Sequence, residues 1–463
     1  MNHSADETKA SLAANLRYFA KWSLIALLIG GIGGLIGSLF SMGVSFATNY
    51  RLAHPWMLYL LPVSGILIVW LYHTFHEEGN RGTNMVIESI SSNEHVTPAT
   101  GPLIFISTIL THIAGGSSGR EGAALQLGGS LGSLIGNVIH LDEKDKKIAI
   151  MCGMSAVFSA LFGTPVAAAI FSLEVISIGV LYYAALVPCI FSSFIGVGIA
   201  RCMGLPGEHF TVLSIPPVHI SSVGWIILLS AVCAVVSIVF CLMLHGAEHT
   251  YKKLLPNPYV RILAASAIFI LLTLLIGTRD YCGSSMPLIE RSMEGEIRYE
   301  AFILKMLFTA IALGAGFKGG EIVPTLCVGA TLGCAFGEIT GFAPSLCAAC
   351  AMTAMFAGVT NCPITSLVIA LELFGYEGME YFSIAIAVSF ALSGYYGLYA
   401  SQKFVYSKTK TEFVNRMSHD IRTPINGIMG MLDIIRKNKE NPAKLEECLG
   451  KIQLSAGHLM ALA

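Results

Sequence analysis

Residues 115–132 read GGSSGREGAALQLGGSLG and lie between two apolar segments, residues 103–114 and 123–139. The charged pair Arg120 and Glu121 therefore sits on a glycine-rich loop at membrane depth, just before a helix. Irregular backbone inside a bilayer is tolerated only where protein buries it or where it lines a cavity, and an ionisable group there is a functional candidate by default. The sequence thus predicts a functional site at this loop.

The same loop predicts an anion site. The amides of Gly119, Arg120 and Gly122 would point from the positive end of the following helix, and such helix starts bind anions. The carboxylate of Glu121 would fill this site when ionised and leave it when protonated. Glu121 is therefore a candidate gate and proton carrier. The alternative is a buried structural ion pair between Arg120 and Glu121.

The composition is typical of a polytopic membrane protein. Of 463 residues, 54% are hydrophobic and 12% are charged, and the mean hydropathy is +0.69. The net charge of −1 indicates no nucleic-acid partner. The 12 cysteines lie mostly in apolar runs and predict no disulfide framework. Cys347 and Cys350 have the spacing of a metal half-site, but no second pair accompanies them, so we expect neither metal nor cofactor.

Charge divides the chain into segments. Residues 403–463 hold 16 charged residues in 61, whereas the preceding 402 residues hold 41. We therefore predict a membrane domain over residues 22–402 and a separate domain over residues 403–463. Residues 1–21 are polar and amphipathic, contain no signal-peptide cleavage pattern, and are predicted to form a cytoplasmic N-terminal helix or tail.

Two stretches of the chain repeat each other. Residues 154–175 read MSAVFSALFGTPVAAAIFSLEV and residues 352–373 read MTAMFAGVTNCPITSLVIALEL, with Met, Ala, Phe, Pro, Leu and Glu at matching places. Upstream, GREGAALQLG at 119–128 matches GEIVPTLCVG at 320–329. Because both matches come in the same order, chance similarity of apolar helices is the weaker explanation. The sequence predicts two related halves built from short, broken helices, and such repeats are often inverted.

These motifs resemble the CLC family of chloride channels and anion/proton antiporters. The signature Gly-Arg-Glu-Gly is Gly119–Gly122, the partner loop is GFKGGEIVP at residues 316–324, and the resemblance covers residues 22–402. It implies an all-α fold with two inverted-repeat halves. It also implies a homodimer in the cell inner membrane, with one pore in each subunit and both termini in the cytoplasm.

Further details resemble the fluoride-exporting branch of that family. The first anion loop reads GNRGTNMVIE at residues 79–88, where chloride members carry Gly-Ser-Gly-Ile-Pro. The partner loop keeps Lys-Gly-Gly-Glu at residues 318–321. The resemblance implies an anion site formed by Thr83, Asn84, the loop amides, Ile322 and Val323.

Three positions, Thr83, Ala123 and Val323, depart from the fluoride pattern. Fluoride is small and strongly hydrated, so its site must offer several close donors, and the Thr83 hydroxyl and the Asn84 amide are of that kind. The choice between fluoride and chloride, and between transport and binding alone, remains open from the sequence.

Proton transfer needs a second group besides Glu121. Chloride antiporters of this family carry an inner glutamate where this chain has Val175 after Glu174, so that route is missing. Glu321 is the remaining candidate. It would relay a proton or polarise the site, or else cap backbone amides or pair with Lys318. Glu174 and Glu372, at matching places in the repeat, are interpreted as structural.

An aromatic hydroxyl completes the anion site in this family. Tyr399 is the candidate, and Tyr395 and Tyr396 are alternatives. Any of the three would otherwise be an interfacial aromatic residue.

The segment after Gln402 has a different character. SHDIRTP at residues 418–424 resembles the phosphoacceptor box of sensor histidine kinases, which implies that His419 accepts a phosphoryl group and that Asp420 is its acid/base neighbour. Apolar spacing predicts a helix over this box and a second one from Ala443, a C-terminal cytoplasmic helical hairpin. No ATP-binding boxes follow, so we expect the front part of a longer protein whose partner would be a response regulator.

These observations predict a fluoride/proton antiporter joined to a signalling domain, with fluoride, protons and membrane lipid as partners. One alternative is a fluoride sensor of a two-component system that binds without transporting. The other is a chloride channel or chloride/proton antiporter. Retention of Glu121 favours the antiporter, and the altered residues Thr83, Ala123 and Val323 favour the sensor.

Overall fold

The computed structural model describes residues 2–92, 96–405, 431 and 450–452, and of residues 2–14 the backbone alone. Within these residues the chain forms sixteen α-helices. They are α1 (Asn2–Ala53), α2 (Leu61–Thr74), α3 (Thr83–Ser91), α4 (Thr100–Ile113), α5 (Glu121–Val138), α6 (Glu143–Phe162), α7 (Pro165–Glu174), α8 (Leu186–Cys202), α9 (Ile220–Leu254), α10 (Pro258–Ile276), α11 (Met286–Met293), α12 (Ala301–Ala315), α13 (Ile322–Thr340), α14 (Pro344–Thr360), α15 (Pro363–Phe374) and α16 (Met379–Leu392). Two 3-10 turns, Pro55–Leu60 and Tyr183–Ala185, and two two-residue strands, Ser177–Ile178 and Lys403–Phe404, complete the described elements.

The helices have the lengths and composition of a polytopic membrane protein, as predicted. In the described part of the chain, six segments are long and apolar enough to cross a membrane: Asn15–Ala53, Pro55–Thr74, Tyr183–Cys202, Ile220–Leu254, Pro258–Ile276 and Ile322–Thr340. Other apolar helices have only 10–17 residues, fewer than the roughly 20 that a span needs. Helix α1 runs without a break through the boundary predicted at residues 21 and 22.

The chain divides into two units after Lys403. The described residues of the second unit are Phe404, Val405, Met431 and residues 450–452. The predicted phosphoacceptor residues, His419 and Asp420, lie outside the described residues.

Helices α6 and α14 end in the same way in the two halves. A left-handed residue stops each helix, Gly163 with φ 77° after α6 and Asn361 with φ 59° after α14. Pro165 and Pro363 then open the next helices, α7 and α15. Glycine and asparagine adopt left-handed backbone at low cost, and proline suits the first turn because its missing N–H would be unpaired there. The repeated sequence thus folds into repeated breaks.

Close helix packing repeats as well. A Cβ on Gly132 of α5 would lie 2.2 Å from the Ala149 carbonyl oxygen of α6, and a Cβ on Gly333 of α13 would lie 2.2 Å from the Cys347 carbonyl oxygen of α14. Only glycine permits backbones to approach this closely, a common device in membrane helix pairs. Both pairs therefore depend on glycine at the same place in the repeat.

Helices α7 and α15 run in opposite directions. The carboxylate of Glu174, the last residue of α7, accepts hydrogen bonds from the Ile364 and Thr365 amides in the first turn of α15, at 3.1 and 2.8 Å. Glu372 of α15 accepts from the Val166 and Ala167 amides of α7, at 3.0 and 2.9 Å. Each helix start is capped by the other half, which requires antiparallel helices and an inverted repeat.

Candidate anion site and gate

The two glycine loops meet at the centre of the candidate site. Gly119 donates its amide to the Gly320 carbonyl oxygen at 2.6 Å, and Gly320 donates to Gly119 at 2.8 Å, an antiparallel bridge. Helices α5 and α13 each start two residues later, so their positive ends converge. A Cβ on Gly320 would lie 2.5 Å from the Gly122 amide nitrogen, so glycine is required for this approach.

This bridge corrects one expectation from the sequence. The Gly119 amide was predicted to face an anion, but it donates its hydrogen bond to the Gly320 carbonyl oxygen. A backbone N–H has one hydrogen to donate. Gly119 therefore joins the two halves, and the next amide, that of Arg120, donates to the Glu121 carboxylate.

The Glu121 carboxylate lies on its own loop. Its Oε2 accepts a hydrogen bond from the Arg120 amide at 2.9 Å, and its side chain is 1% exposed. A Cβ on Gly119 would lie only 2.5 Å from that oxygen. The carboxylate thus lies beside the start of α5, where the sequence predicts an anion site.

The guanidinium of Arg120 is directed away from the site. It donates to Glu208 Oε1 at 2.7 Å and to Ser41 Oγ at 3.1 Å, whereas its Nε is 3.7 Å from Glu121 Oε1. Glu208, between α8 and α9, is therefore the closer ion-pair partner, and the sequence had not indicated it. This pair fixes the loop while leaving the Glu121 carboxylate on backbone donors.

Gln126, which the sequence analysis missed, donates hydrogen bonds to both Thr83 and Gly122. The Thr83 hydroxyl donates to the Gly122 carbonyl oxygen at 3.3 Å. Gln126 of α5 donates from Nε2 to the same carbonyl at 3.3 Å and to Thr83 Oγ1 at 3.4 Å. A lone glutamine in an apolar, glycine-rich helix was the available signal. Gln126 orients the Thr83 hydroxyl toward the α5 start.

Glu321, from the second half of the chain, approaches the same Gly122 backbone as Thr83. A Cβ on Gly122 would be 3.2 Å from Glu321 Oε2 and 3.4 Å from Thr83 Oγ1, so both groups approach the Gly122 backbone. Tyr399, 3% exposed, neighbours the Glu321 carboxylate. Tyr396 is 48% exposed.

The other residues predicted from the partner loop occupy separate places. Ile322 and Val323 are buried in the first turn of α13, where they contribute backbone. The Lys318 ammonium lies 4.2 Å from the centre of the Tyr72 ring, and no ion pair with Glu321 occurs in the described part of the chain. Pairing of Glu321 with Lys318 is thus not what the structure holds.

A cavity of about 120 Å³ reaches Glu321 and Asn84. Its wall also contains His245 and Glu248 of α9, two polar residues at the end of a long apolar helix. The Asn84 Oδ1 accepts a hydrogen bond from the Ser401 amide at 3.1 Å, and this bond uses neither of the Asn84 side-chain amide hydrogens. Glu321 is therefore the residue that this cavity shares with the loop junction.

Comparison with known proteins agrees with this geometry. The voltage gated chloride channel family matches residues 64–394, and the His Kinase A (phospho-acceptor) domain matches residues 409–462. A chloride/fluoride channel protein of Pseudomonas syringae pv. tomato is 32% identical over 400 residues, 85% of this chain and 88% of the relative.

Solved structures give the same result. The crystal structure of a CLC-type fluoride/proton antiporter superposes with a TM-score of 0.80 at 29% identity, covering 83% of this chain and 98% of that one. A slow cyanobacterial Cl⁻/H⁺ antiporter shares the fold, with a TM-score of 0.69 at 18% identity over 80% of this chain and 94% of its own. The chain is thus a membrane protein of the voltage gated chloride channel (CLC) family that also carries a His Kinase A phospho-acceptor domain.

Proposed function

We propose that residues 22–402 exchange fluoride for protons across the membrane and that this activity is coupled to a signalling domain over residues 403–463. The observation that supports exchange most directly is the Glu121 carboxylate on the Arg120 amide, at 2.9 Å. A carboxylate that competes with a free anion for the same donors leaves when protonated, so one residue carries the proton and opens the site.

Several observations support fluoride as the anion. Lys318-Gly-Gly-Glu321 is retained, and two of the similar proteins are named for fluoride. The Thr83 hydroxyl, the Asn84 amide and the loop amides are the compact donors that a strongly hydrated anion requires. Glu321 and Tyr399 would contact the anion from the other half of the molecule.

The transport cycle follows from these positions. Protonation of Glu121 removes its negative charge, the carboxyl leaves the loop amides, and fluoride takes its place. Loss of that proton returns the carboxylate and expels fluoride. The Glu321 carboxylate, between the junction and the cavity of about 120 Å³, would receive the proton on its way to the other side. Inward proton movement then drives fluoride export.

Flux from liposomes tests the proposal. Purified protein is reconstituted with internal fluoride, and a fluoride electrode and a pH electrode are read together. We expect fluoride release with proton uptake, and loss of proton uptake in Glu121→Gln. Glu377→Gln, at an exposed position, is the matched control and should keep both signals. Fluoride release without proton movement in the unaltered protein would contradict exchange.

Coupling to the tail is supported by the segment that leaves the membrane domain. Ser401 donates from its amide to Asn84 Oδ1 at 3.1 Å and from its hydroxyl to Glu88 Oε1 at 2.8 Å. Lys403 Nζ donates to the Ser91 carbonyl oxygen at 2.8 Å. Helix α3, which carries Thr83 and Asn84, is thus bonded to the chain just before the phospho-acceptor domain. We propose that anion occupancy shifts this segment, in a homodimer with both termini in the cytoplasm.

Hydrogen exchange tests the coupling separately from transport. We expect fluoride to change amide exchange in peptides from residues 404–420, and Ser401→Ala to reduce that change while proton-coupled flux continues. Ser383→Ala, which removes a hydroxyl bonded only within α16, is the control. An unchanged tail in fluoride-transporting protein would remove the coupling and leave the transporter.

A fluoride sensor is the second candidate. It is favoured by the Thr83 hydroxyl, which is engaged by the Gly122 carbonyl oxygen and Gln126, and by Val323, which offers no hydroxyl. Saturable fluoride binding by calorimetry with no flux in liposomes would establish the sensor in place of the antiporter.

A further inference from the structure

Arg51, near the end of α1, is a buried cation without a partner. Arg51 is only 7% exposed, and its Nε has no hydrogen-bond acceptor. Among the residues that the structure describes, no ion pair or hydrogen bond to its guanidinium occurs. An isolated buried charge is strongly unfavourable, and buried charges in proteins are paired. A bound anion would therefore stabilise the Arg51 guanidinium.

A second cation, Lys305, and a buried imidazole, His112, lie close to Arg51. A Cβ on Gly283 would lie 3.0 Å from Arg51 Nη2 and 3.9 Å from His112 Nδ1, and that imidazole nitrogen also lacks a partner. The Gly283 carbonyl oxygen accepts from the fully buried Lys305 ammonium at 2.8 Å. Arg51, His112 and Lys305 therefore all lie close to Gly283.

Carboxylates nearby do not balance this charge. Asp280, the acidic residue in the adjoining segment, forms ion pairs with Arg291 at 3.0 Å and Arg298 at 3.1 Å. Lys305 is satisfied by oxygen atoms of Ser117 and of the backbone, which are neutral. Asp280 therefore does not neutralise the Arg51 guanidinium.

A small cavity lies beside this guanidinium. It has a volume of about 50 Å³ and is lined by Arg51 and Arg279, with Cys282, Leu52, Pro55 and Leu58. A water molecule needs about 10–15 Å³ of such space, so the cavity can hold a halide together with water. Two arginines, the buried Arg51 and the exposed Arg279, border this cavity, and their positive charge favours an anion there.

We propose that Arg51 and Arg279 hold a monovalent halide in this cavity, at a second anion site separate from the Glu121 site. Lys21, which pairs with Asp145, and Arg51 are thirty residues apart on the same helix, about 45 Å at 1.5 Å per residue. The second site is therefore on the opposite face of the membrane domain from Lys21. The aliphatic part of Arg51 packs near Gly115, so this site adjoins the start of the gate loop.

Anomalous diffraction tests this site directly. Crystals soaked in sodium bromide and measured at the bromine absorption edge should show a peak between Arg51 and Arg279. Arg51→Met, which keeps much of the volume and removes the charge, should lose that peak. Absence of the peak in the unaltered protein overturns the proposal, and so does a peak of equal height in Arg51→Met.

Thermal unfolding shows whether the Arg51→Met variant is folded and whether it still binds fluoride at this site. In sodium gluconate, Arg51→Met should melt at or above the temperature of the unaltered protein, because an unpaired buried charge is gone. Sodium fluoride should raise the melting temperature of the unaltered protein more than that of Arg51→Met, since a ligand of the native state stabilises it. Arg201→Met, at an exposed position, is the control. Equal fluoride shifts in both proteins would overturn the proposal. Both measurements read binding, so they are independent of whether fluoride is transported.

Discussion

Gly119 and Gly320 exchange two backbone hydrogen bonds across the two halves of the chain, with N–O distances of 2.6 and 2.8 Å. The bridge places the starts of α5 and α13 side by side, and Glu121 and Glu321 follow it by two residues and one. A carboxylate from each half therefore approaches the same small region. The arrangement of these two carboxylates depends on both loops together.

Gly119→Ala should release the gate. The new Cβ would lie 2.5 Å from Glu121 Oε2, the end of a flexible side chain that moves at low cost. We expect fluoride flux to continue while proton uptake falls at least tenfold, as in Glu121→Gln. Paired fluoride and pH electrodes measure both. Proton coupling at the unaltered level in folded Gly119→Ala protein would show that this position of the carboxylate is not the closed gate.

Gly320→Ala should be far more harmful. Its Cβ would lie 2.5 Å from the Gly122 nitrogen and 3.0 Å from the Glu121 nitrogen, so the backbone of the bridge must separate. We expect at least a tenfold loss of flux and a melting temperature lower by several degrees.

Gly198→Ala in α8 is the matched control for that change. No atom lies within 4 Å of its Cβ position, and alanine favours a helix over glycine by about 1 kcal/mol. The control should melt at the same or a higher temperature and transport normally. Similar losses in both variants would mean that the bridge is not the cause.

Gln126→Leu should weaken anion binding without removing transport. The variant loses the hydrogen bonds to Thr83 Oγ1 and the Gly122 carbonyl oxygen, and the Thr83 hydroxyl is no longer held in place. We expect the fluoride concentration for half-maximal flux to rise about three- to tenfold with little change in maximal rate, and Gln126→Glu to shift it further because a negative charge is added. A drop in maximal rate alone would indicate a structural role instead.

Glu174→Ala and Glu372→Ala should lower stability and leave the transport ratio unchanged. Each variant leaves two backbone amides at the start of the opposite helix without their hydrogen-bond acceptor. Glu174 also accepts a hydrogen bond from the Thr365 hydroxyl at 2.6 Å. Hydrogen bonds to a charged group contribute about 1.5–3 kcal/mol each, so both variants should melt several degrees lower. Fluoride and proton fluxes measured on the folded fraction check the ratio, and a changed ratio would place either glutamate in the proton route.

Local patterns in the sequence were sufficient for much of the fold. Apolar runs, glycine loops and the repeat of residues 154–175 and 352–373 predict short membrane helices in two halves, because each depends on residues close together in the chain. The family resemblance and its motifs then led to Glu121, Glu321 and Tyr399. In the structure these three side chains lie near one another at the junction of the two loops.

Tertiary structure alone decided which groups meet. The sequence placed Glu121 on its loop. Only the structure shows that Arg120 pairs with Glu208, that the Gly119 amide donates to Gly320, and that Gln126 donates to Thr83. These pairs join residues far apart in the chain, and a polar residue's spacing says nothing about which distant atom satisfies it. Burial, which makes Arg51 an unpaired charge rather than an ordinary helix-end arginine, likewise depends on segments that only the folded chain brings around it.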